Sequence, residues 1–336
     1  MSRVSVCCAY YNRADSIRGT LDSLLAQTHD DLEIIVINDG SKDPRVAEIL
    51  SFYSDPRLRV IHQENQGFVP TIRRAVQEAT GEYVAIQGAG DLSLPERIAR
   101  QAALLDDQPN VGIVSCRQRE MRIGGPRAGE AGLSRLISLT PDGPTMAGRF
   151  APIIHGEVMF RKALYDKVGG YRPIFTYAQD RDLWLRIVEH AEIRVIDEIL
   201  YQRNHFFEDG VNANPEKVVQ QRTLALFAVQ CYHDRQKYGR DLIQRYGHVG
   251  PFYRQRHAEL AGFIARRSKE NFFAGNDDIA ARLADLALEE AWTRESVIIG
   301  NAVKYGVKWK SIGNIIKTMA SSKKRAKQLI RPSGVK

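Results

Sequence analysis

Cysteine is scarce in this chain: Cys7, Cys8, Cys116 and Cys231 are the only four among 336 residues. Two of them are adjacent inside a strand-like run, and none stands in a Cys-x-x-Cys or Cys/His ligand spacing, so neither a disulfide framework nor a zinc site is indicated. Long apolar runs are missing too. No stretch approaches the ~20 uninterrupted apolar residues of a membrane span, and Met1-Ser2-Arg3 passes straight into Val4–Tyr11 without the flanks of a signal peptide. The expectation is a cytoplasmic protein, not integral to a membrane. Acidic residues vanish from 296 to 336, which hold ten Lys/Arg and no Asp or Glu, so the formal net charge of +8 belongs to the tail and the rest sums to −2. What remains is 43% apolar and 26% charged, the balance of an ordinary globular chain with no internal repeat.

To about residue 115, short β-branched runs alternate with amphipathic helical stretches, the pattern of βαβ units and a mainly parallel sheet. The predicted strands are Val4–Ala9, Leu32–Ile37, Leu58–His62, Tyr83–Gln87 and Gly112–Cys116. Between them Ala14–Gln27, Pro44–Tyr53, Pro70–Ala79 and Pro95–Leu105 read as helices, three with Pro where a first turn tolerates it. Ligands of such sheets bind beyond the carboxyl ends of the strands. That rule singles out Tyr11, Asn12, Asp39, Asn65 and Gly88 to Asp91. Residues 117 to 150, rich in Gly, Arg and Pro, read as an excursion over the site. A strand over Glu157–Arg161, a helix over Asp180–Ala191 and a strand over Arg194–Ile196 follow, and from Pro215 the chain reads as helical without strands.

Taken in order, Val-Ser-Val-Cys-Cys-Ala-Tyr-Tyr-Asn (4 to 12), Ile-Ile-Val-Ile-Asn-Asp-Gly-Ser (34 to 41), Asn-Gln-Gly (65 to 67), Gly-Glu-Tyr-Val-Ala-Ile (81 to 86), Gly-Gly-Tyr (169 to 171) and Gln-Asp-Arg-Asp-Leu-Trp-Leu-Arg (179 to 186) resemble the inverting family-2 glycosyltransferases. The resemblance covers roughly residues 2 to 207. It implies a GT-A fold, Rossmann-like with a mainly parallel sheet, over residues 1 to 212, followed by a helical basic extension over 213 to 336. It also implies transfer of a sugar from a nucleoside diphosphate donor (UDP-, GDP- or dTDP-linked) to a hydroxyl of a glycan or lipid-linked acceptor, in surface polysaccharide or glycoconjugate synthesis.

The same resemblance carries residue roles. Ala9, Tyr11, Asn12, Asp39, Asn65, Arg73, Gly88, Gly90 and Asp91 become donor-site candidates, and Asp180 the base that takes the acceptor proton. Asp39 on its own could open a hairpin, since Asp-Gly is a common hairpin signal. However, Lys42-Asp43-Pro44 opens a helix, so the turn runs from strand to helix. Asp180 could instead serve as a helix N-terminal partner. Asp182 is about 200° round the helix from it and is paired, in expectation, with Arg186 at i+4.

One departure stands out. Where relatives carry Asp-x-Asp, this chain reads Gly88-Ala89-Gly90, with only the adjoining Asp91. A divalent cation, Mn²⁺ or Mg²⁺, would then rest on Asp91 and His205; alternatively Arg73, Arg74 or Arg203 neutralises the diphosphate. The two glycines would let sugar or phosphate approach the backbone. Gly88 to Ser93 also resembles GxGxxG, although it follows the fourth predicted strand and meets Leu94-Pro95 before a helix. Two other readings thus stay open: a donor-binding but catalytically silent interaction protein, and a nucleotidyl-transfer or dinucleotide enzyme on a similar sheet. From 304 to 331, Trp309, Ile312, Ile315, Ile316 and Met319 alternate with lysines, an amphipathic pattern suited to an anionic membrane surface, to nucleic acid, or to nothing but solubility. The membrane reading would make the protein peripheral on the inner membrane face. No nucleic-acid motif accompanies the charge.

Overall fold

The computed structural model describes residues 2–133, 153–207, 214–309 and 313–314. The chain forms two compact units, Met1–Ala213 with Leu224–Pro251, and Asn214–Thr223 with Phe252–Lys336.

In the first unit the strands are β1 (Val4–Tyr10), β2 (Leu32–Asp39), β3 (Leu58–Gln63), β4 (Tyr83–Ile86), β5 (Leu92–Ser93), β6 (Val111–Ile123), β7 (Ala131–Leu133), β8 (Met159–Arg161) and β9 (Glu192–Phe206). They make one sheet in the order β3-β2-β1-β4-β8-β6-β9-β5, with β7 paired to β6. β3, β2, β1 and β4 run parallel, β8 runs against both β4 and β6, and β9 is parallel to β6. The helices are α1 (Ala14–Leu25), α2 (Arg45–Ser51), α3 (Phe68–Glu78), α4 (Arg97–Asp107), α5 (Lys162–Lys167), α6 (Gln179–Ile187), α7 (Pro215–Tyr238), which belongs to this unit from Leu224 on, and α8 (Leu242–Tyr246).

All seven residues of β1 are buried, as expected of a parallel strand covered on both faces. Successive side chains point to opposite faces. Cys7, Ile35 and Ile37 therefore join Ile72, Val76 and Trp184 in one core layer, while Val6, Cys8 and Val36 join Ile17, Leu21 and Ile98 in the other. The four cysteines are free and buried, acting as small core residues.

The structure differs from the sequence pattern in three places. Arg117–Ile123, expected in an irregular excursion, continue strand β6 and pair with β9 from Ile199 to Phe206. β9 is itself far longer than Arg194–Ile196. A polar run such as Arg117-Gln118-Arg119-Glu120 gives no burial pattern, and only its partner strands fix it as β; residues 134 to 150 of the expected excursion lie outside the described residues. Finally, residues 224 to 251, expected with the basic extension, belong to the first unit. Phe227, Ala228, Cys231 and Leu242 enter the core layer of α6, and Phe175 stacks on Phe227 at 5.6 Å.

The second unit contains α9 (Ala258–Ala274), α10 (Asp277–Glu290) and α11 (Arg294–Lys308) around Phe272, Ala280, Ala284 and Val303. A Thr293/Ser296 capping box starts α11. Among the described residues no helix is long and apolar enough to cross a membrane, and the tail beyond Trp309 falls almost wholly outside them.

Candidate active site

Asp39 is the last residue of β2, and β2 leads to α2 rather than a second hairpin strand. The residue is 3% exposed. Oδ1 accepts from Gln63 Nε2 (2.8 Å) and Gln66 N (2.9 Å), and Oδ2 from Gly67 N (2.9 Å) and Asn65 Nδ2 (3.2 Å). Asn65 Nδ2 also donates to the Asp39 carbonyl at 2.7 Å. Asp39 and Asn65 are thus brought together as expected, but four donors occupy the roughly four acceptor sites of a carboxylate. A nucleobase N–H would have to displace one of them. Arg74 joins this cluster through Gln63, donating from Nη1 to Oε1 at 2.8 Å. Arg73 instead exerts its field on the Tyr165 phenol.

Asn12 and Arg13 adopt left-handed φ angles of 55° and 59°, uncommon for residues with side chains. Local bonds hold them there. Ser41 Oγ accepts from Asn12 N at 2.8 Å, Asn12 Oδ1 accepts from Lys42 N at 2.9 Å, and Tyr10 Oη donates to the Arg13 carbonyl at 3.0 Å. Tyr11 is 39% exposed beside them, whereas Ala9 is buried in β1. The bend carries the Arg13 guanidinium to the Ala89 carbonyl, 2.6 Å from Nη1, and over the Phe206 ring at 4.5 Å.

The turn 88 to 91 leads into β5, not a helix, so it offers no helix N-terminus to a dinucleotide pyrophosphate. Nor do its glycines open towards a ligand, as expected from sequence. A Cβ on Gly88 would collide with the Asp91 carboxylate, and one on Gly90, where φ is 88°, would meet the Phe206 ring. Asp91 is 9% exposed; Oδ2 accepts from Tyr201 Oη and Oδ1 from Asn204 N, both at 2.8 Å. Burial raises its pKa, against the pull of these two bonds and of Arg203 and Arg13. His205 Nε2 lies 3.5 Å from Glu120 Oε2, and its pKa is lowered, first by burial and then by Arg203. Among the described residues no three His, Cys, Asp or Glu side chains form a group able to hold a metal. The pairing of Asp91 with His205 as cation ligands therefore does not fit: the Asp91 oxygens are engaged by Tyr201 and Asn204, and the imidazole faces Glu120.

Asp180 stands in the first turn of α6, after Ala178 at φ 55°. It is half-buried, and Oδ1 accepts from Arg181 N at 2.8 Å. Asp182, two residues on, is 1% exposed and fully committed: Arg186 Nη2 donates to it at 2.8 Å, as expected, and Arg172 pairs with it from the other side. Arg172 also reaches Asp241 (2.8 Å), which Arg235 contacts at 2.6 Å. The helix bearing Asp180 is thereby tied to residues 224 to 251.

His155, Glu157, Tyr201, Arg97 and Arg13 also shape the site, although the sequence pattern does not single them out. His155 Nε2 shares a 2.7 Å hydrogen bond with Tyr171 Oη, and the Asp180 charge acts on both groups. Burial lowers the His155 pKa to about 4, so it is neutral at pH 7. Burial raises Glu157 to about 7, although Ile154 N donates to its Oε1 at 2.7 Å. Arg97, wholly buried, donates to Ser93 Oγ and the Ile86 carbonyl at 2.8 Å each and lies over Tyr201 at 4.8 Å, forming the floor of the 88 to 91 turn. The one signal that could have found part of this group is His155-Gly156-Glu157, a polar triplet just before an apolar strand.

Residues 5–168 match the family model described as Glycosyl transferase family 2. EpsE of Bacillus subtilis (strain 168), which carries a glycosyltransferase name, is 28% identical over 194 residues, 56% of this chain and 68% of EpsE. An uncharacterized glycosyltransferase of Rickettsia felis is 28% identical over 220 residues, 62% of this chain but only 35% of that protein. YibD of Escherichia coli (strain K12), also an uncharacterized glycosyltransferase, is 42% identical over 96 residues, 28% of each chain. Among solved structures, S. aureus TarS 1-349 superposes with a TM-score of 0.52 at 17% identity, covering 91% of both chains. The mannosyltransferase PcManGT of Pyrobaculum calidifontis, in complex with GDP-Man and Mn²⁺, does so with a TM-score of 0.50 at 19% identity, covering 95% of this chain and 84% of its own. At these identities the structural likeness speaks for the fold.

Sheet order, the carboxylates at strand ends and these likenesses together define a glycosyltransferase of the GT-A class. More narrowly, residues 5–168 make up a domain of glycosyltransferase family 2.

Proposed function

We propose that this protein transfers a sugar from a nucleoside diphosphate donor to an acceptor hydroxyl with inversion, in the synthesis of a surface polysaccharide or glycoconjugate. One contrast carries the reading: Asp182 is consumed by two arginines, whereas Asp180, two residues away on the same helix, is only half-buried and accepts only from Arg181 N among the described residues. An aspartate, with an ordinary pKa near ~3.9, is already ionised at neutral pH and needs placement more than tuning. In the proposed step Asp180 takes the acceptor hydroxyl proton as that oxygen attacks the anomeric carbon. The bond from that carbon to the diphosphate breaks on the opposite face, and the electron pair leaves with the diphosphate.

The base end of the donor falls to Tyr11, Asn12, Asp39, Asn65 and Arg74, and the turn with Gly88, Gly90 and Asp91 lies below the diphosphate. Arg13 and Arg203, whose charges both act on Asp91, supply positive charge where the leaving group develops its negative charge. TarS has been crystallised with UDP and with UDP-GlcNAc, and PcManGT with GDP-Man; these nominate the first donors to test. Calorimetric titration with UDP, GDP and dTDP, each with and without Mn²⁺, is the direct test, and binding of none of them would remove the donor assignment.

The acceptor in this reading is a lipid-linked or growing glycan at an anionic membrane surface. Ile298, Tyr305 and Trp309, all more than half exposed, recur at spacings of seven and four along α11 and beyond its end, beside Lys304 and Lys308. That arrangement suits an interfacial helix. Flotation with anionic vesicles should carry the full chain up but leave a chain ending before Lys304 in the bottom fraction; equal flotation of the two would remove the membrane from the reading.

A further inference from the structure

Phe68 is a large apolar side chain left 41% exposed at the first position of α3. Its backbone is not free to wander. The two preceding amides, Gln66 N and Gly67 N, both donate to the Asp39 carboxylate at 2.9 Å. The ring is thus held one residue away from the nucleotide end of the site. The ring makes a T-shaped contact with the His155 imidazole, with centroids 5.4 Å apart and planes at 76°. His155 in turn stacks on Trp184 of α6 at 6.2 Å and is bonded to Tyr171 Oη. The Asp180 charge acts on both His155 and Tyr171.

A continuous path therefore runs from Asp39 through Gly67, Phe68 and His155 to the surroundings of Asp180. In a sugar transferase this is the interval between the nucleotide and the base. A pyranose has an apolar C–H face and a polar hydroxyl rim, and an aromatic face beside polar groups matches that division.

We propose that Phe68 and His155 form the wall of a pyranose subsite, with the apolar face of the donor's sugar ring lying against Phe68 and its hydroxyl rim towards His155 and Asp180. This assignment rests on the donor reading above and adds to it the side chains that meet the sugar rather than the nucleotide. A neutral His155 suits the place, since it can donate or accept without adding charge beside Asp180. Phe68 acts by contact with the ring and takes no part in proton transfer.

The test compares nucleotide with nucleotide-sugar binding in the full chain. UDP and UDP-GlcNAc, and GDP and GDP-mannose, are titrated into the parent, Phe68→Leu and Phe68→Tyr, with thermal melts to show that each variant is folded. The expected result is a three- to tenfold loss of nucleotide-sugar affinity in Phe68→Leu, about what an aromatic contact supplies. Free nucleotide affinity should stay within twofold, and Phe68→Tyr should keep the parent's affinity for both. Equal weakening of nucleotide and nucleotide-sugar would overturn the subsite, because the ring would then serve the nucleotide end. Unchanged binding of both with a raised KM for acceptor alone would also overturn it, by giving the wall to the acceptor's sugar. If the parent binds none of the four probes, the donor reading itself fails; if it binds them and Phe68→Leu behaves as the parent, only the subsite fails.

Discussion

The proposed nucleotide end and the proposed base end of the site are built in opposite ways. At the nucleotide end, Asp39 gathers Gln63, Asn65, Gln66 and Gly67, all from the end of the neighbouring strand and the loop that follows it. At the base end, His155, Tyr171 and Asp180 come from three separate segments, and α6 is held by Arg172, Arg235 and Asp241, the last two far beyond the family match that ends at residue 168. The first end is a local structure that a strand-loop-helix unit makes for itself. The second exists only when distant parts of the chain have docked, which exposes it to changes far from the chemistry.

The largest expected effect separates the ends by function. Asp180→Asn should lower kcat by roughly 10³- to 10⁴-fold, the upper range for loss of a general base, while calorimetric nucleotide affinity stays as in the parent. Comparable loss of affinity would show that the two ends are not separable.

Next comes the distant brace. Asp241 is wholly buried between Arg172 and Arg235, and removing one partner of a buried ion network leaves charge uncompensated. Asp241→Ala should therefore destabilise the first unit by about 3–5 kcal/mol in urea unfolding, although it lies outside the matched family domain. A change below about 1 kcal/mol, the size of an exposed ion pair, would mean that the base end stands without it.

Asp39→Asn keeps the shape of the side chain but turns two of its acceptor sites into donors facing donors. Nucleotide affinity should fall by roughly tenfold to a hundredfold, the equivalent of one hydrogen bond to a charged group, with the melting of the base end little changed. A fall in kcat at unchanged affinity would reverse the assignment.

The smallest effect is a pH slope confined to the base end. Glu157, raised to about 7 by burial, contributes stability that is complete below its unfolded pKa of 4.5 and is lost as pH rises towards 7. His155, lowered to about 4, contributes stability that is complete above 6.5 and is lost as pH falls towards 4. Glu157→Gln removes only the first slope, so the variant should gain on the parent by roughly 1–3 kcal/mol as pH rises from about 4.5 to about 7. Parallel stability curves for the two proteins would show that Glu157 is not held neutral.

Much of the nucleotide end is legible in the sequence. Asp39 and Asn65 follow predicted strands, and the Asp39-Gly40 turn can be separated from a hairpin because Pro44 opens a helix. The pairing of Asp182 with Arg186 follows from helical spacing. Less can be read around Asp91. That two glycines leave room is visible, but what fills the room is not, since Tyr201 and Asn204 are 110 and 113 residues away along the chain. For the same reason the strand Arg117–Ile123 carries no signal, its polar residues being ordered by a ladder to β9. His155 and Glu157 leave only the His155-Gly156-Glu157 triplet before a strand as a signal, and that triplet says nothing of their burial.

By itself the sequence determined the alternation of strands and helices, and with it which residues stand at strand ends, because burial period and turn chemistry are local. It also carried the ordered motifs of family 2. The tertiary structure alone decided that Arg172 joins Arg186 on Asp182, that the Asp91 carboxylate turns inward, and that residues 224 to 251 complete the first unit. Those outcomes depend on pairs such as Arg172 and Asp241, 69 residues apart. A buried charge takes whichever partner folding brings within reach, and no local pattern encodes that partner.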